Sequence, residues 1–160
     1  MQTLKMALCG GLVMALVFGC ALFHQKREET TLRIYEEASS ALPAENQQTV
    51  EIPRADLKLT VSPYPTLTEQ DVQSAELYDT AGGKAVFLRF DPHGTVVLDE
   101  MTTRTRGQYV AILVNQRPVG AWLVDQRILN GQFLVEGDFT DAEAKKIVDD
   151  LNKLAKKNKQ

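Results

Sequence analysis

Ala85-Val-Phe-Leu-Arg-Phe90, Asp91-Pro-His-Gly94, Gln108-Tyr-Val-Ala-Ile-Leu-Val-Asn115, Ile128-Leu-Asn-Gly131, Leu134-Val-Glu-Gly137 and Phe139-Thr-Asp-Ala-Glu-Ala144 follow one another along the second half of the chain. Val86, Leu88 and Phe90 fall on one face of an extended segment, and Gly82-Gly83 before it reads as a tight hairpin turn after Ala75-Glu-Leu-Tyr78. Asp91-Pro-His-Gly94 is turn chemistry, with Thr95 placed to cap a helix from Val96 to about Arg104 that puts Val97, Leu98 and Met101 on one side. Tyr109 to Val114 is the strongest strand pattern in the chain. Arg117-Pro118 marks a turn into a strand from Val119 to Val124, and Asn130-Gly131 a turn into Gln132 to Glu136. In the closing helix Thr140 and Glu143 form a capping box and Phe139 is placed as a hydrophobic staple. Ala144, Ile147, Val148, Leu151 and Leu154 recur at helical spacing.

Working toward the amino terminus, Pro63-Tyr-Pro65 ends a strand, because neither proline can donate to a ladder, and Thr68-Glu-Gln-Asp71 starts a helix of at most two turns. Leu57-Lys-Leu-Thr-Val61 and Thr49-Val-Glu-Ile-Pro53 alternate apolar with polar residues, and Leu32, Ile34 and Tyr35 mark a third short strand between Thr30 and Ala38. The half-buried patterns predict antiparallel pairing. The predicted fold class is α+β: an antiparallel β-sheet with two main helices on one face, preceded by an amino-terminal signal or anchor helix.

The order of these signals resembles the head subdomain of the first periplasmic domain of SecD, a membrane component of protein export. The resemblance rests on an I-x-x-G turn at Ile128 and Gly131, a strand ending at Gly137, and an F-T-x-x-E-A helix start at Phe139, Thr140, Glu143 and Ala144. It implies an extracytoplasmic domain, in the periplasm of a bacterial envelope, that engages polypeptide or translocon partners. The chain departs from the family in two ways. It has one apolar stretch where SecD has many spans, so it cannot by itself be a proton-driven translocase. Its hairpin after the central strand, Asn115-Gln-Arg-Pro-Val-Gly120, lacks the family's acidic residue and glycine pairing.

With 160 residues, 44% of them hydrophobic and 24% charged, the chain fits one domain with appendages. Lys5 is the only charge in the first 23 residues, and Met6 to Phe23 is an uncharged run of 18 residues, at the lower edge of what spans a bilayer. Val17-Phe-Gly-Cys20 resembles a lipobox, which would make Cys20 a lipidation site. Bulky Phe18 and apolar Ala21-Leu-Phe23 fit an uncleaved anchor equally well, and both readings stay open. The organisation expected is a signal or anchor (1–23), a tether (24–31), an amino-terminal β-strand region (32–65), a head-like α+β domain (66–155) and a basic tail (156–160). Both cysteines, Cys9 and Cys20, lie in the apolar segment, so the remainder holds no disulfide.

Beyond Phe23 acids outnumber bases and no basic stripe is interleaved with aromatics, which argues against nucleic acid as partner. Chemistry is sparse. The histidines are His24 and His93, too few and too scattered for a zinc or iron site. No serine sits in G-x-S-x-G or S-x-x-K, and Gly82-Gly83-Lys84 lacks the spacing of a phosphate loop. Asp99-Glu100 and Asp149-Asp150 are helix neighbours, which do not face one another as an acid and base pair would. Trp122 and Tyr109, with apolar neighbours, read as core or sheet-face packing. The residues that suggest a partner surface are Arg104, Arg106, Arg117 and Arg127, read as a basic, hydroxyl-rich rim with Thr102, Thr103 and Thr105. The expectation is a non-enzymatic, cofactor-free, membrane-anchored domain that binds polypeptide or a translocon protein in export. The alternative is a structural envelope lipoprotein that reuses the fold as an adaptor.

Overall fold

A computed structural model describes residues 29–38, 47–52 and 55–159. Among these the strands are β1 (Leu32–Glu36), β2 (Gln48–Ile52), β3 (Leu57–Val61), β4 (Leu67–Thr68), β5 (Val72–Thr80), β6 (Gly83–Phe90), β7 (Tyr109–Val114), β8 (Arg117–Leu123) and β9 (Gln132–Glu136). A single 3-10 turn (Glu69–Asp71) precedes β5, and the helices are α1 (Pro92–Arg104) and α2 (Asp141–Lys157). Among the described residues no helix is long and apolar enough to cross a membrane.

The class is α+β with antiparallel pairing, but the strands form three sheets and not the one expected: β4-β1-β7-β8, β2-β3 and β5-β6-β9. The reason lies in β7, whose residues after Tyr109 are all buried. A strand apolar at every position needs cover on both faces. On one face Val110, Ile112 and Val114, with Leu32 and Ile34 of β1, join a core that takes in Leu98 and Met101 of α1, Ala144, Ile147 and Leu151 of α2, and Val86, Leu88 and Phe90 of β6. On the other face Tyr35, Ala111 and Leu113 are covered by Val50, Ile52, Leu59 and Val61 of the β2–β3 hairpin. That hairpin is stitched to the end of β1 by a Glu37–Val61 bridge, with Ala38 N donating to Thr60 O at 2.8 Å. β1 lies hydrogen-bonded between β4 and β7.

Local chemistry sets the element ends. Helix α1 begins at Pro92, four residues before the expected start at Val96, because Asp91 and not Thr95 is the cap. Asp91 Oδ1 accepts from Gly94 N at 2.7 Å, and Pro92 stands at the first helical position, where a missing N–H costs nothing. The threonines that weaken this helix as a sequence turn their hydroxyls back onto it: Thr102 Oγ1 donates to Leu98 O at 2.8 Å and Thr105 Oγ1 to Met101 O at 2.7 Å. The turn between β7 and β8 is Asn115-Gln116, both at positive φ (50° and 65°), so Arg117-Pro118 opens the strand and does not make the turn. In the β5–β6 hairpin the loop residues are Ala81-Gly82, and Gly83, at φ 115°, already starts β6.

The short helix expected to carry Val72 is one 3-10 turn. Its capping box forms as read, Thr68 N donating to Asp71 Oδ2 at 2.8 Å, and Val72 begins β5. In α2 both halves of the capping box are present: Glu143 N donates to Thr140 Oγ1 at 3.2 Å and Thr140 N to Glu143 Oε2 at 2.9 Å.

Candidate functional site

Two sheets end against each other at β8 and β9, an edge strand of each. In an antiparallel ladder the residues whose N–H and C=O reach the neighbour alternate with residues whose groups point away. Val124 N donates to Gln108 O and Phe90 N to Gly131 O, each at 2.9 Å, which fixes the phase of both ladders. Counting along the registers, the backbone groups of Ala121 and Leu123 turn away from β7, and those of Leu134 and Glu136 turn away from β6. The two edges therefore aim polar backbone groups toward the space between the sheets.

A backbone hydrogen bond joins the two edges where Asp138 N donates to Val119 O at 3.0 Å. Two glycines permit that approach. A Cβ on Gly120 would stand 2.5 Å from Glu136 O, and one on Gly137 would stand 2.9 Å from Val119 O. Beyond the contact a groove of about 550 Å³ opens. Phe87, Trp122, Leu129 and Leu134 give it apolar patches within a lining that is more polar than apolar, with Gln126, Arg127, Asn130 and Gln132 among its residues. Trp122 packs edge-on against Phe133, with ring centroids 5.3 Å apart, and is only half-buried. Leu129 is 63% exposed. Tyr78 and Arg89 extend the surface over Phe87, Arg89 lying 5.5 Å from the ring centre. A smaller cleft of about 280 Å³ lies at the contact itself, between Val119-Gly120-Ala121 and Glu136-Gly137, with Lys84 and Ile52 on its walls.

Another edge is closed. Helix α2 lies along β5, and Asn152 imitates a neighbouring strand there: Ala75 N donates to Asn152 Oδ1 at 3.0 Å and Asn152 Nδ2 donates to Ala75 O at 2.8 Å. β4 is only two residues long.

The four arginines read as a rim are not one surface. Arg104 holds Glu36 with two guanidinium hydrogen bonds, the Nε bond being 3.0 Å, and Arg127 holds Asp99 in the same way, with Nη2 to Oδ2 at 2.8 Å. Those bonds raise both guanidinium pKa values and hold the Asp99 carboxyl below its ordinary value. Arg117 stands at the opposite end of β7 and β8, roughly 17 Å of strand from Tyr109 at about 3.4 Å per residue. It donates to Asp138 O at 3.1 Å and to Glu143 Oε1 at 3.2 Å. Arg106 is exposed in the turn after α1 and has no ion-pair partner among the described residues. Three of the four charges are thus matched by a carboxylate. Arg127 also lines the large groove.

His93 is the second residue of α1, largely exposed, its Nδ1 3.1 Å from Asp71 Oδ1. Asp71, Asp91 and His93 can bring one ligand atom each within 4.8 Å of one another. Each carboxylate is already in use, Asp71 Oδ2 in the capping box and Asp91 Oδ1 as the cap of α1, so the grouping is two abutting caps. Cys20 lies outside the described residues. The sequence reading did not single out Phe87, Leu129 and Leu134. Their signal was faint: Phe87 and Leu134 are apolar at positions that alternation assigns to the outer face, and Leu129 sits in a loop.

The described residues thus form an α+β domain in which the edge strands of two sheets meet beside a groove. The profile of the SecDF P1 head subdomain matches residues 41–153, and the chain belongs to that family. Over 84 residues it is 33% identical to the protein translocase subunit SecDF of Thermus thermophilus, covering 52% of this chain and 11% of that protein. A solved structure of SecDF, described as a membrane component that enhances protein export, superposes with a TM-score of 0.59 at 24% identity, covering 78% of this chain and 62% of that one. SecDF in its super-membrane-facing form gives the same score and identity over 19% of its own length. These two likenesses speak for the fold.

Proposed function

We propose that this protein is a non-enzymatic, membrane-anchored domain of the bacterial envelope that binds extended polypeptide in the groove between β8 and β9, in association with protein export. The observation that carries the reading is the pair of facing edges. An extended chain lying along the two edges meets outward-turned backbone groups of Leu134 in the groove and of Ala121 at the smaller cleft beside it, which supply hydrogen bonds whatever its sequence. Phe87, Trp122, Leu129 and Leu134 receive its apolar side chains. Backbone pairing with loosely shaped apolar patches suits a domain that meets many substrates in unfolded form.

Family membership supports the association with export, and SecDF itself is described as enhancing it. The chain spans only a small part of that protein's length, so the translocon as a partner belongs to this proposal.

Trp122 is the only tryptophan in the chain, which makes its emission a reporter placed in the groove. Titrating the full chain with a reduced, unfolded secretory polypeptide should shift that emission, and Leu129→Asp should weaken the response about tenfold, a loss of roughly 1.4 kcal/mol. No emission change together with no crosslinking from position 129 would overturn the proposal. Crosslinking from that position to one folded envelope protein, and not to unfolded chains, would favour the adaptor reading.

A further inference from the structure

The described part of the chain begins beside the carboxyl end of α2. Glu29 pairs with Lys157 at 3.7 Å, and Thr30, buried, donates to Asp150 Oδ2 at 2.9 Å. Charge along α2 and just beyond it is uneven. Before Leu151, Asp141, Glu143, Asp149 and Asp150 are mixed with Lys145 and Lys146, which pair with Asp149 and Asp150, and from there on the charged side chains are Lys153, Lys156, Lys157 and Lys159 alone. Lys153 leans to Asp150 at 3.6 Å, while Lys156 and Lys159 are exposed and have no ion-pair partner among the described residues. Glu69, the other carboxylate near this entry, is occupied by Leu32 N at 3.0 Å. The helix dipole favours cations in the last turn, yet its effect fades within that turn and does not call for four of them.

Chain length gives the second, independent line. The uncharged run ends at Phe23, and six residue steps to Glu29 reach at most about 20 Å. If the attachment is instead a lipid on Cys20, nine steps reach about 30 Å. Either attachment keeps the Glu29–Lys157 contact, and the lysines around it, close to the bilayer.

We propose that the carboxyl end of α2 rests on an anionic lipid surface, with Lys153, Lys156, Lys157 and Lys159 against the headgroup phosphates. Clustered lysines next to a membrane attachment are drawn to anionic headgroups, and the attraction falls off within a Debye length. The short tether keeps the cluster inside that range, and docking would fix how the domain stands on the membrane. This proposal rests on the membrane attachment proposed above and not on what the groove binds.

The test reconstitutes the full chain into vesicles of phosphatidylcholine alone, or with an equal share of phosphatidylglycerol, and follows acylation of each lysine by mass spectrometry. Lys153, Lys156, Lys157 and Lys159 should react several-fold more slowly in the anionic vesicles, with the difference lost in molar salt. Lys58 and Lys145 serve as internal references. Lys156→Glu with Lys159→Glu, at exposed unpaired positions, should remove the protection of Lys153 and Lys157 while leaving Trp122 emission unchanged. Equal rates in both lipids, protection that ignores lipid charge or salt, or a chain that washes off the vesicles would each overturn it.

Discussion

Gly94 lies where α1 crosses the single turn before β5, and a Cβ there would sit 2.9 Å from Asp71 Cβ and 3.0 Å from Asp71 O. Backbone cannot yield as a flexible side chain can, so Gly94→Ala should lower stability by about 1–3 kcal/mol, read as an earlier urea midpoint at unchanged slope. Its neighbour Asp91 makes a separable contribution: Asp91→Ala leaves Gly94 N without its acceptor and should cost about 1 kcal/mol, whereas Asp91→Asn, which keeps an acceptor oxygen, should cost less. Three carboxylates tie stability to pH, and the first, Asp99, is held low by its hydrogen bonds from Arg127. Thr140's amide and hydroxyl, with Arg117 nearby, hold Glu143 below its ordinary value. Burial pushes Asp150 up, but the hydrogen bonds from Lys146 and Thr30 and the charges of Lys146 and Lys153 outweigh it and leave that carboxyl low as well. A carboxyl that is more acidic in the folded chain than in the unfolded one contributes stability above its unfolded value, near 4, and that contribution is lost as pH falls through the folded value. The urea midpoint should therefore change little from neutrality down to about pH 5 on this account and drop below pH 4, with Glu143→Gln flattening part of the drop.

Among the elements, α2 is the most self-contained. Its cap at Thr140, its apolar stripe and its basic end are all local patterns in or next to one helix of 17 residues, and each was legible in the sequence. The start of α1 was legible only to a reader who weighs Asp-Pro as cap and first position above the turn propensity of Pro-His-Gly, and the competing signal at Thr95 pointed four residues too far. The hairpins were readable from alternation, but how they combine was not. β1 pairs with β7 across a separation from 74 positions (Glu36 to Val110) to 82 (Leu32 to Val114), and that contact depends on both faces of β7 needing cover, which no window around Leu32 contains. The groove was hidden for the same reason: it is a meeting of two sheet edges brought together by Gly120 and Gly137, and the arginines that look clustered along the chain are distributed by the fold to opposite ends of the β7–β8 hairpin. One contact between elements is testable alone. Asn152→Ala removes both hydrogen bonds to Ala75 and leaves its amide and carbonyl unpaired in a part-buried position, which should cost about 1–3 kcal/mol. It also opens the edge of β5, so the variant should aggregate more readily than the wild type at matched stability, as light scattering would show.

At the scale of the whole molecule, the two cores are unequal and share one strand. The larger joins both helices to the four-stranded and three-stranded sheets, and the smaller is roofed, among the described residues, by the β2–β3 hairpin. Because Val110, Ile112 and Val114 enter one core and Ala111 and Leu113 the other, β7 cannot open without disrupting both, and its amides should exchange with solvent only through global unfolding. The hairpin is a two-stranded sheet that covers a single face, so its opening uncovers Ala111 and Leu113 and leaves the larger core in place. Its amides should exchange through a smaller, local opening. Native-state hydrogen exchange in increasing denaturant separates the two cases: β7 amides should carry the full denaturant dependence of unfolding, and those of Val50 and Leu59 a much weaker one. Equal dependence would mean that the two cores unfold as one unit, and the hairpin would then be as necessary to the fold as β7 itself.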